Sequence, residues 1–210
     1  MPAKNEIFRA MKHPSRRVPM GKEKDIIVCK IFENELKAVA CGCKDMRFHW
    51  IDAASHANPV KMKAEISSAI SKIESPESEI CFLLGNGCHP DMCSIAKQHD
   101  VLLPEEKNCI HAFLGVERTK ELEQNRTMII TPGWLDSWRN IMDGLGWDQV
   151  DVRINIGRYD RILLLDPGLI PLNDDALIAF YDQVQVPIEI MEISLDYFKE
   201  FVNKVINSRQ

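Results

Sequence analysis

The chain has 210 residues, of which 45% are hydrophobic and 27% charged, and its formal net charge is -5. This length and apolar content suit one large α/β domain and exclude a small domain that depends on disulfides. The longest apolar runs are shorter than a membrane span, and residues 1–24 lack the apolar centre of a secretory signal. We therefore expect a cytoplasmic protein with no membrane partner.

The charge is distributed unevenly along the chain. Residues 1–24 contain seven lysines and arginines against two glutamates, so this segment is +5 and residues 25–210 are -10. The sequence predicts a basic, flexible N-terminal segment over 1–24 and a single domain over 25–210. An arm that binds nucleic acid is the alternative interpretation. Because the acidic body has no pattern of basic and aromatic residues, we expect no nucleic-acid partner.

Strand and helix patterns alternate along the rest of the chain. Apolar, strand-like runs occur at 25–32, 46–52, 79–84, 127–130, 161–165 and 186–191. Helical patterns occur at 33–42, 58–73, 91–100, 107–115, 134–146, 173–184 and 194–207. Asn58 and Pro59 are typical of a helix start. The alternation predicts a three-layer α/β/α fold with a mostly parallel sheet, similar to a Rossmann fold.

Three of the predicted strands end in the same kind of turn: "LLGNG" (83–87), "IITPGW" (129–134) and "LLLDPG" (163–168). Ligands of open α/β sheets bind outside the carboxyl ends of the strands, so the three turns would line one crevice if they lay side by side. Alternatively, they are ordinary strand-to-helix turns. The candidate contacts for a small-molecule ligand are Gly85, Asn86, Gly87, Pro132, Gly133 and Trp134. The sequence contains no dinucleotide fingerprint, P-loop or serine-hydrolase motif.

The chain has seven cysteines, an odd number that argues against a disulfide framework. Cys29, Cys88 and Cys109 lie near separate element ends and could meet at one edge of the sheet. Three cysteines can hold three irons of a four-iron cluster, whereas three cysteines with His56 or His89 would form a closed zinc-type site. A helix N-terminus would lower the pKa of Cys109. Core thiols without a ligand, or a metal-free reactive thiol, are the alternatives.

Five ordered segments resemble the motifs of a known family. "VCKIFENEL", "SHANP", "LLGNG", "KNCIHAFLG" and "TPGW" are similar to successive motifs of the domain of unknown function 1638, over roughly residues 25 to 190. The chain departs from the family pattern at Leu84, where a cysteine is usual, and at residues 107–109, where Lys-Asn-Cys replaces His-Asp-Cys. Cys29 and Cys109 match the pattern directly, whereas Cys88, on the other side of the glycines, could only be a displaced substitute; the alternative is that the chain has given up the ligand missing at position 84.

The resemblance implies a metabolic setting, because the family occurs in methanogenic archaea and anaerobic bacteria, often beside genes for corrinoid-dependent methyl transfer. The first hypothesis is a protein that binds an iron–sulfur cluster, zinc or iron through cysteines and serves corrinoid-dependent or one-carbon methyl metabolism. The second is a metal-free accessory protein whose crevice binds a small anionic or corrinoid ligand, or which docks a corrinoid protein or methyltransferase. The sequence leaves open whether the chain is an enzyme.

Overall fold

The computed structural model describes residues 23–40, 46–75 and 77–207. The basic segment predicted over 1–24 lies outside these residues apart from its last two positions, as do Cys41 and Cys43. Within the described parts of the chain, no helix has both the length and the apolar character needed to cross a membrane.

The described residues form six strands and eight α-helices. The strands are β1 (Lys24–Cys29), β2 (Met46–Ile51), β3 (Glu79–Leu83), β4 (Thr127–Ile130), β5 (Arg161–Asp166) and β6 (Ile188–Glu192). The helices are α1 (Glu33–Val39), α2 (Pro59–Ser71), α3 (Met92–Gln98), α4 (Cys109–Glu123), α5 (Pro132–Leu145), α6 (Gln149–Ile156), α7 (Asp174–Val184) and α8 (Asp196–Asn207). Short 3-10 turns follow β1 at Lys30–Phe32 and β2 at Ala53–Ala57.

The strands form two parallel sheets of three strands each. The first sheet has the order β2-β1-β3, and the second has the order β4-β5-β6. The predicted α/β class with parallel strands is confirmed. Among the described residues the strands do not join into the one sheet that the alternation suggested. The sequence could not predict this division, because periodicity within a segment identifies a strand but not the strand that lies beside it.

The central strand of each sheet is the most deeply buried part of that sheet. Ile26 and Ile27 of β1 and Leu164 and Leu165 of β5 are fully buried, as expected for parallel strands covered on both faces. The last helix, α8, returns to the first sheet and packs against β3 and α4. Its Phe198 stacks on Phe113 of α4 with the ring centroids 4.8 Å apart.

Helix α5 connects the two sheets. It begins directly after β4 of the second sheet, where the Thr131 side chain accepts a hydrogen bond from the Trp134 backbone N–H at 3.2 Å. It then packs against the 3-10 turns that follow β1 and β2 of the first sheet. A Cβ on Gly133 would lie 2.3 Å from the Ile31 carbonyl oxygen, so only glycine permits this approach. The carboxyl ends of the first sheet are therefore covered by a helix that belongs to the second.

A buried carboxylate fixes the opposite end of the first sheet. Asp25 of β1 has no exposed surface and accepts hydrogen bonds from Nε and Nη2 of Arg47 at 3.0 and 2.8 Å. It also contacts His49 Nε2 at 2.6 Å and accepts a hydrogen bond from the Ser78 hydroxyl. These partners hold the pKa of Asp25 well below its usual range, with the Arg47 hydrogen bonds as the largest cause. The cluster joins β1, β2 and the segment before β3.

Candidate functional site

A cavity of about 200 Å³ lies at the carboxyl ends of β1 and β3, below α5. Its wall combines thiols, apolar side chains and a few polar groups: Cys29, Ile31, Phe32, Ala53, His56, Leu83, Leu84, Gly85, Gly87, Cys88, Asn108, Cys109, Trp134 and Ile141. The lining residues His56, Gly87 and Asn108 are exposed, so the cavity opens to solvent on their side. It lies where parallel α/β sheets usually bind ligands.

The three predicted cysteines meet at this cavity from distant parts of the chain. Cys29 is the last residue of β1 and is 3% exposed. Cys88 follows the glycine turn after β3, and Cys109 is the first residue of α4. The latter two are half-buried. The fold thus brings these three cysteines to one cavity, although the second lies 59 positions after the first and the third lies 21 positions after the second.

The glycine turn after β3 explains why Cys88 lies beside Cys109. The backbone N–H groups of Asn86 and Gly87 donate to the carbonyl oxygens of Glu106 and Lys107 at 3.1 and 3.0 Å. A Cβ on Gly85 would lie 2.2 Å from the Lys107 carbonyl oxygen, a distance that no side chain allows. The turn can therefore press its backbone against the segment that starts α4 only because this residue is glycine.

The thiols of the cavity are protonated at neutral pH in the metal-free protein. Burial raises the pKa of Cys88 to about 11 and that of Cys109 to about 12, and it raises the pKa of Cys29 further still. The negative charge that neighbouring thiolates would carry adds to the increase for Cys29 and Cys109. Each ionised sulfur therefore needs a positive partner to remain in this cavity.

The expectation that a helix N-terminus lowers the pKa of Cys109 is wrong in its net direction. The backbone N–H groups of Cys109 and Ile110, at the start of α4, do favour the thiolate. Removal of the sulfur from bulk water has the larger effect, so the pKa rises.

His56 is the nitrogen donor at the opening of the cavity. Its Nδ1 lies 3.1 Å from the Ala53 carbonyl oxygen, and because a carbonyl only accepts, Nδ1 carries the proton when the ring is neutral. Burial lowers the pKa of His56, although the residue as a whole belongs to the exposed class. The Nε2 lone pair is then available to a ligand, in the arrangement common for metal-binding histidines.

His89 has a different environment from the one predicted. Its Nε2 lies 3.0 Å from the Pro59 carbonyl oxygen, and its Nδ1 accepts a hydrogen bond from the Asp91 N–H at 2.8 Å. Both ring nitrogens are thus occupied, and the residue is absent from the cavity wall. His89 would have to give up both contacts to bind a metal.

Only some of the residues predicted to contact a small-molecule ligand reach the cavity. Gly85, Gly87 and Trp134 belong to its wall. The Asn86 side chain instead donates to the carbonyl oxygens of Pro104 and Glu105 at 3.2 and 3.1 Å. Pro132 and Gly133 form the start of α5.

The third turn does not join the other two. Gly168 has no atom within 4 Å of its Cβ position, and its N–H donates to Asp166 Oδ1 at 2.8 Å. The prediction of one crevice lined by all three turns is therefore wrong for "LLLDPG". Among the described residues, none of 163–168 lines the cavity, and Trp134 and Ile141 of α5 are the side chains that reach it from the half of the chain that contains the second sheet.

The structure adds Glu35 to the surroundings of the site. This α1 residue is 2% exposed, and its Oε2 has no hydrogen-bond partner among the described residues. Burial raises the pKa of Glu35 to about 7, with a smaller effect from Asp136. Its charge also acts on Cys109. A glutamate on the apolar side of a short helix, beside Phe32 and Leu36, was the sequence signal that could have identified it.

The donors of the cavity do not form a closed site for one ion. Among residues 23–40, 46–75 and 77–207, no group of three or more histidine, cysteine, aspartate or glutamate side chains is arranged to hold a metal ion. The three thiols share one cavity wall without converging on a single point. A single zinc or iron ion would therefore require these side chains to move.

Fold and site together define the chain as a two-sheet parallel α/β protein with a cysteine-lined cavity at the carboxyl ends of its first sheet. The family model described as "Protein of unknown function (DUF1638)" matches residues 50–202, and the chain belongs to this family. The match includes His56, Cys88 and Cys109, while Cys29 precedes it. No curated protein and no solved structure matched the chain.

The cavity thiols should react slowly with alkylating reagents. In reduced, metal-stripped protein, the increase in the pKa of Cys88 from 9.0 to about 11 leaves about a hundredfold less thiolate at pH 8. Among the cysteines that the structure describes, we expect Cys93, which is exposed on α3, to react with iodoacetamide first, and Cys29 and Cys109 to react last. Mass spectrometry of the alkylated peptides over time measures this order. Equal rates for Cys88 and Cys93 would contradict it.

Proposed function

We propose that this protein binds a metal centre with several metal atoms, such as an iron–sulfur cluster, through Cys29, Cys88 and Cys109, and that it serves corrinoid-dependent or one-carbon methyl metabolism. One observation carries the metal proposal: three thiols from distant parts of the chain line a single cavity. Thiolates are the usual protein ligands of iron–sulfur clusters. Cysteines that only fill the core have no need to share one space.

The spread of the donors favours a cluster over a single ion. A lone ion needs all its ligands around one point, and the described side chains offer no such arrangement. A cluster distributes its ligands over several irons and fits thiols placed around a cavity of about 200 Å³. With three cysteine ligands, one iron would stay open to a substrate or to His56 Nε2. A cluster with an open iron supplies electron transfer or Lewis-acid chemistry when bound.

The thiols of the cavity are compatible with a metal-bound state and with a metal-free state. Thiols must lose their protons when they bind a metal, and the N–H groups of Cys109 and Ile110 stabilise the sulfur anion of Cys109. Without metal, the same thiols are neutral and tolerate an apolar wall. The cavity thus accepts thiolates only together with a positive centre.

A metal-free binding protein is the second candidate, and the apolar wall favours it. The part of the lining that the described residues form includes Ile31, Phe32 and Leu83 and contains no lysine or arginine, so a small neutral ligand suits it better than an anion. A corrinoid is much larger than the cavity and would have to lie against its opening. In that case a corrinoid protein or a methyltransferase would dock on this side of the molecule.

Metal analysis of cysteine variants separates the two candidates. After strictly anaerobic purification, we expect the wild-type protein to contain iron and sulfide in stoichiometric amounts. Cys29→Ser, Cys88→Ser and Cys109→Ser should each lose most of the metal, because each removes one of three ligands. Cys93→Ser, a matched change at an exposed thiol outside the cavity, should retain it.

A wild-type protein without metal would contradict the first candidate, as would iron that all three cavity variants retain. The second candidate predicts instead that ligand or partner binding survives the triple serine variant. Circular dichroism of each variant shows whether a loss of metal reflects a loss of fold.

A further inference from the structure

Strand β6 forms an open edge of the second sheet. Its only strand partner among the described residues is β5. The Ile162 N–H donates to Pro187 O at 2.8 Å, and the Ile193 N–H donates to Asp166 O at 2.9 Å. Since backbone groups alternate in direction along a strand, the odd-numbered residues of β6 face β5. The N–H and C=O groups of Ile188, Ile190 and Glu192 therefore point away from the sheet.

The same edge carries several exposed apolar side chains. Ile190 is 54% exposed, and Ile178 and Tyr181 on the neighbouring helix α7 are 61% and 45% exposed. With Leu177, Pro187 and Ile188 they line one shallow apolar hollow. We call these six residues the β6 edge patch. An open strand edge flanked by apolar side chains is a surface that proteins normally cover.

We propose that a second copy of this chain covers the β6 edge patch, with the two β6 strands antiparallel about a two-fold axis at Ile190. In this register Ile190 lies opposite Ile190 of the second copy, and Ile188 lies opposite Glu192. Every outward-facing N–H and C=O of β6 is then used, since each of these pairs exchanges two hydrogen bonds. The two sheets become one six-stranded sheet across the dimer.

The charges of β6 are compatible with this register. Glu189 lies opposite Met191 of the second copy, so no glutamate directly faces another glutamate, and like charges across a strand pair are destabilising. Glu189 already pairs with Arg161 of its own chain, with Nη1 and Oε2 at 2.6 Å. In a two-fold interface the same patch on both subunits must be complementary to itself. The β6 edge patch meets this condition in its hydrogen bonds and charges, and this favours a second copy over an unrelated partner.

The symmetry also accounts for the exposed side chains of α7. A two-fold axis perpendicular to the sheet keeps both α7 helices on the same face, on either side of the β6 pair. Ile178 and Tyr181 of the two copies are thereby brought toward each other, and their apolar surface is removed from water. The inference is independent of the cavity and of any metal, because it depends only on the second sheet and α7.

The mass of the full-length protein in solution tests the proposal. Light scattering coupled to size-exclusion chromatography should give the mass of two chains for the wild type. Ile190→Lys and Ile178→Lys should each give the mass of one chain, because each places a charge at the axis or beside it. Val60→Lys is the matched control, since Val60 is 80% exposed on α2, a helix that packs on the first sheet. It should remain a dimer.

Amide hydrogen exchange tests the register itself. The N–H groups of Ile188, Ile190 and Glu192 should exchange slowly in the wild type and rapidly in Ile178→Lys, where β6 is unchanged in sequence but no longer paired. A monomeric wild type would overturn the proposal. A dimer that both lysine variants preserve, or whose three β6 amides exchange rapidly, would overturn it as well.

Discussion

Asp25→Asn should lower the free energy of unfolding by about 3 kcal/mol at pH 7, because it removes a buried negative charge and weakens several charge-assisted hydrogen bonds. Asp25 has no exposed surface and contacts Arg47, His49 and Ser78 at once. Urea unfolding monitored by circular dichroism measures the difference. Asp160→Asn is the control: Asp160 also pairs with an arginine, Arg126, but both side chains are more than 60% exposed, and such pairs add little.

The same carboxylate gives the stability a defined dependence on pH. The pKa of Asp25 is lower in the folded protein than in the unfolded chain, where it is about 3.9. Its contribution to the free energy of unfolding is therefore complete above the pKa of the unfolded chain. This contribution is lost as the pH falls through that pKa toward the pKa of the folded protein. The stability difference between wild type and Asp25→Asn should shrink below about pH 4. A difference that stays constant down to pH 3 would contradict this assignment.

Gly85→Ala should both destabilise the protein and disrupt the cavity. The new Cβ would overlap the Lys107 carbonyl, 2.2 Å away, and two backbone segments would have to separate. Overpacking of this kind costs about 1–3 kcal/mol. Because the contact holds Cys88 beside Cys109, we expect loss of the metal together with a lower melting temperature.

Gly168→Ala is the control for Gly85→Ala. Gly168 has open space around it but a φ of 66°, so alanine there is strained without a clash. It should lose some stability and keep the proposed metal centre. Equal metal content in Gly85→Ala and wild type would show that the glycine turn does not organise the site.

Local sequence signals predicted most of the individual elements. The strand-like runs and the N-cap at Asn58, whose side chain accepts from the Lys61 N–H at 3.1 Å, are confirmed. The prediction missed α6, which begins with a capping box at Asp148 and Asp151 but buries only Val152 and Ile156. A surface helix with so few apolar positions has a weak periodic signal.

The arrangement of the elements was less predictable. The division into two sheets depends on contacts between distant residues, such as Gly133 of α5 with the Ile31 carbonyl, and no local pattern specifies such a contact. Helix α4 also extends well past the predicted end at Gly115, where a φ of 74° interrupts the helical backbone before it continues to Glu123. The chain resumes the helix after this glycine, and the predicted pattern over 107–115 covers only its first part.

For the site, the position of a cysteine in its element was more informative than its neighbours in sequence. Cys29 ends a parallel strand and Cys109 starts a helix, and such positions collect at one edge of an α/β sheet. His89 adjoins Cys88 in sequence, yet its ring contacts the Pro59 carbonyl at the start of α2 and the Asp91 N–H instead. Glu35 was missed although it lies beside the apolar Phe32 and Leu36, because the burial that raises its pKa depends on how α1 packs in the fold.

X-ray absorption spectroscopy of the anaerobically purified wild-type protein tests the central claim most directly. Bound at Cys29, Cys88 and Cys109, an iron–sulfur centre should show a first shell dominated by sulfur at about 2.3 Å, together with a second metal shell from the neighbouring irons. The sulfur shell should be lost in the triple serine variant and kept in Cys93→Ser. A metal coordinated only by nitrogen and oxygen, or a protein without metal, would contradict the account.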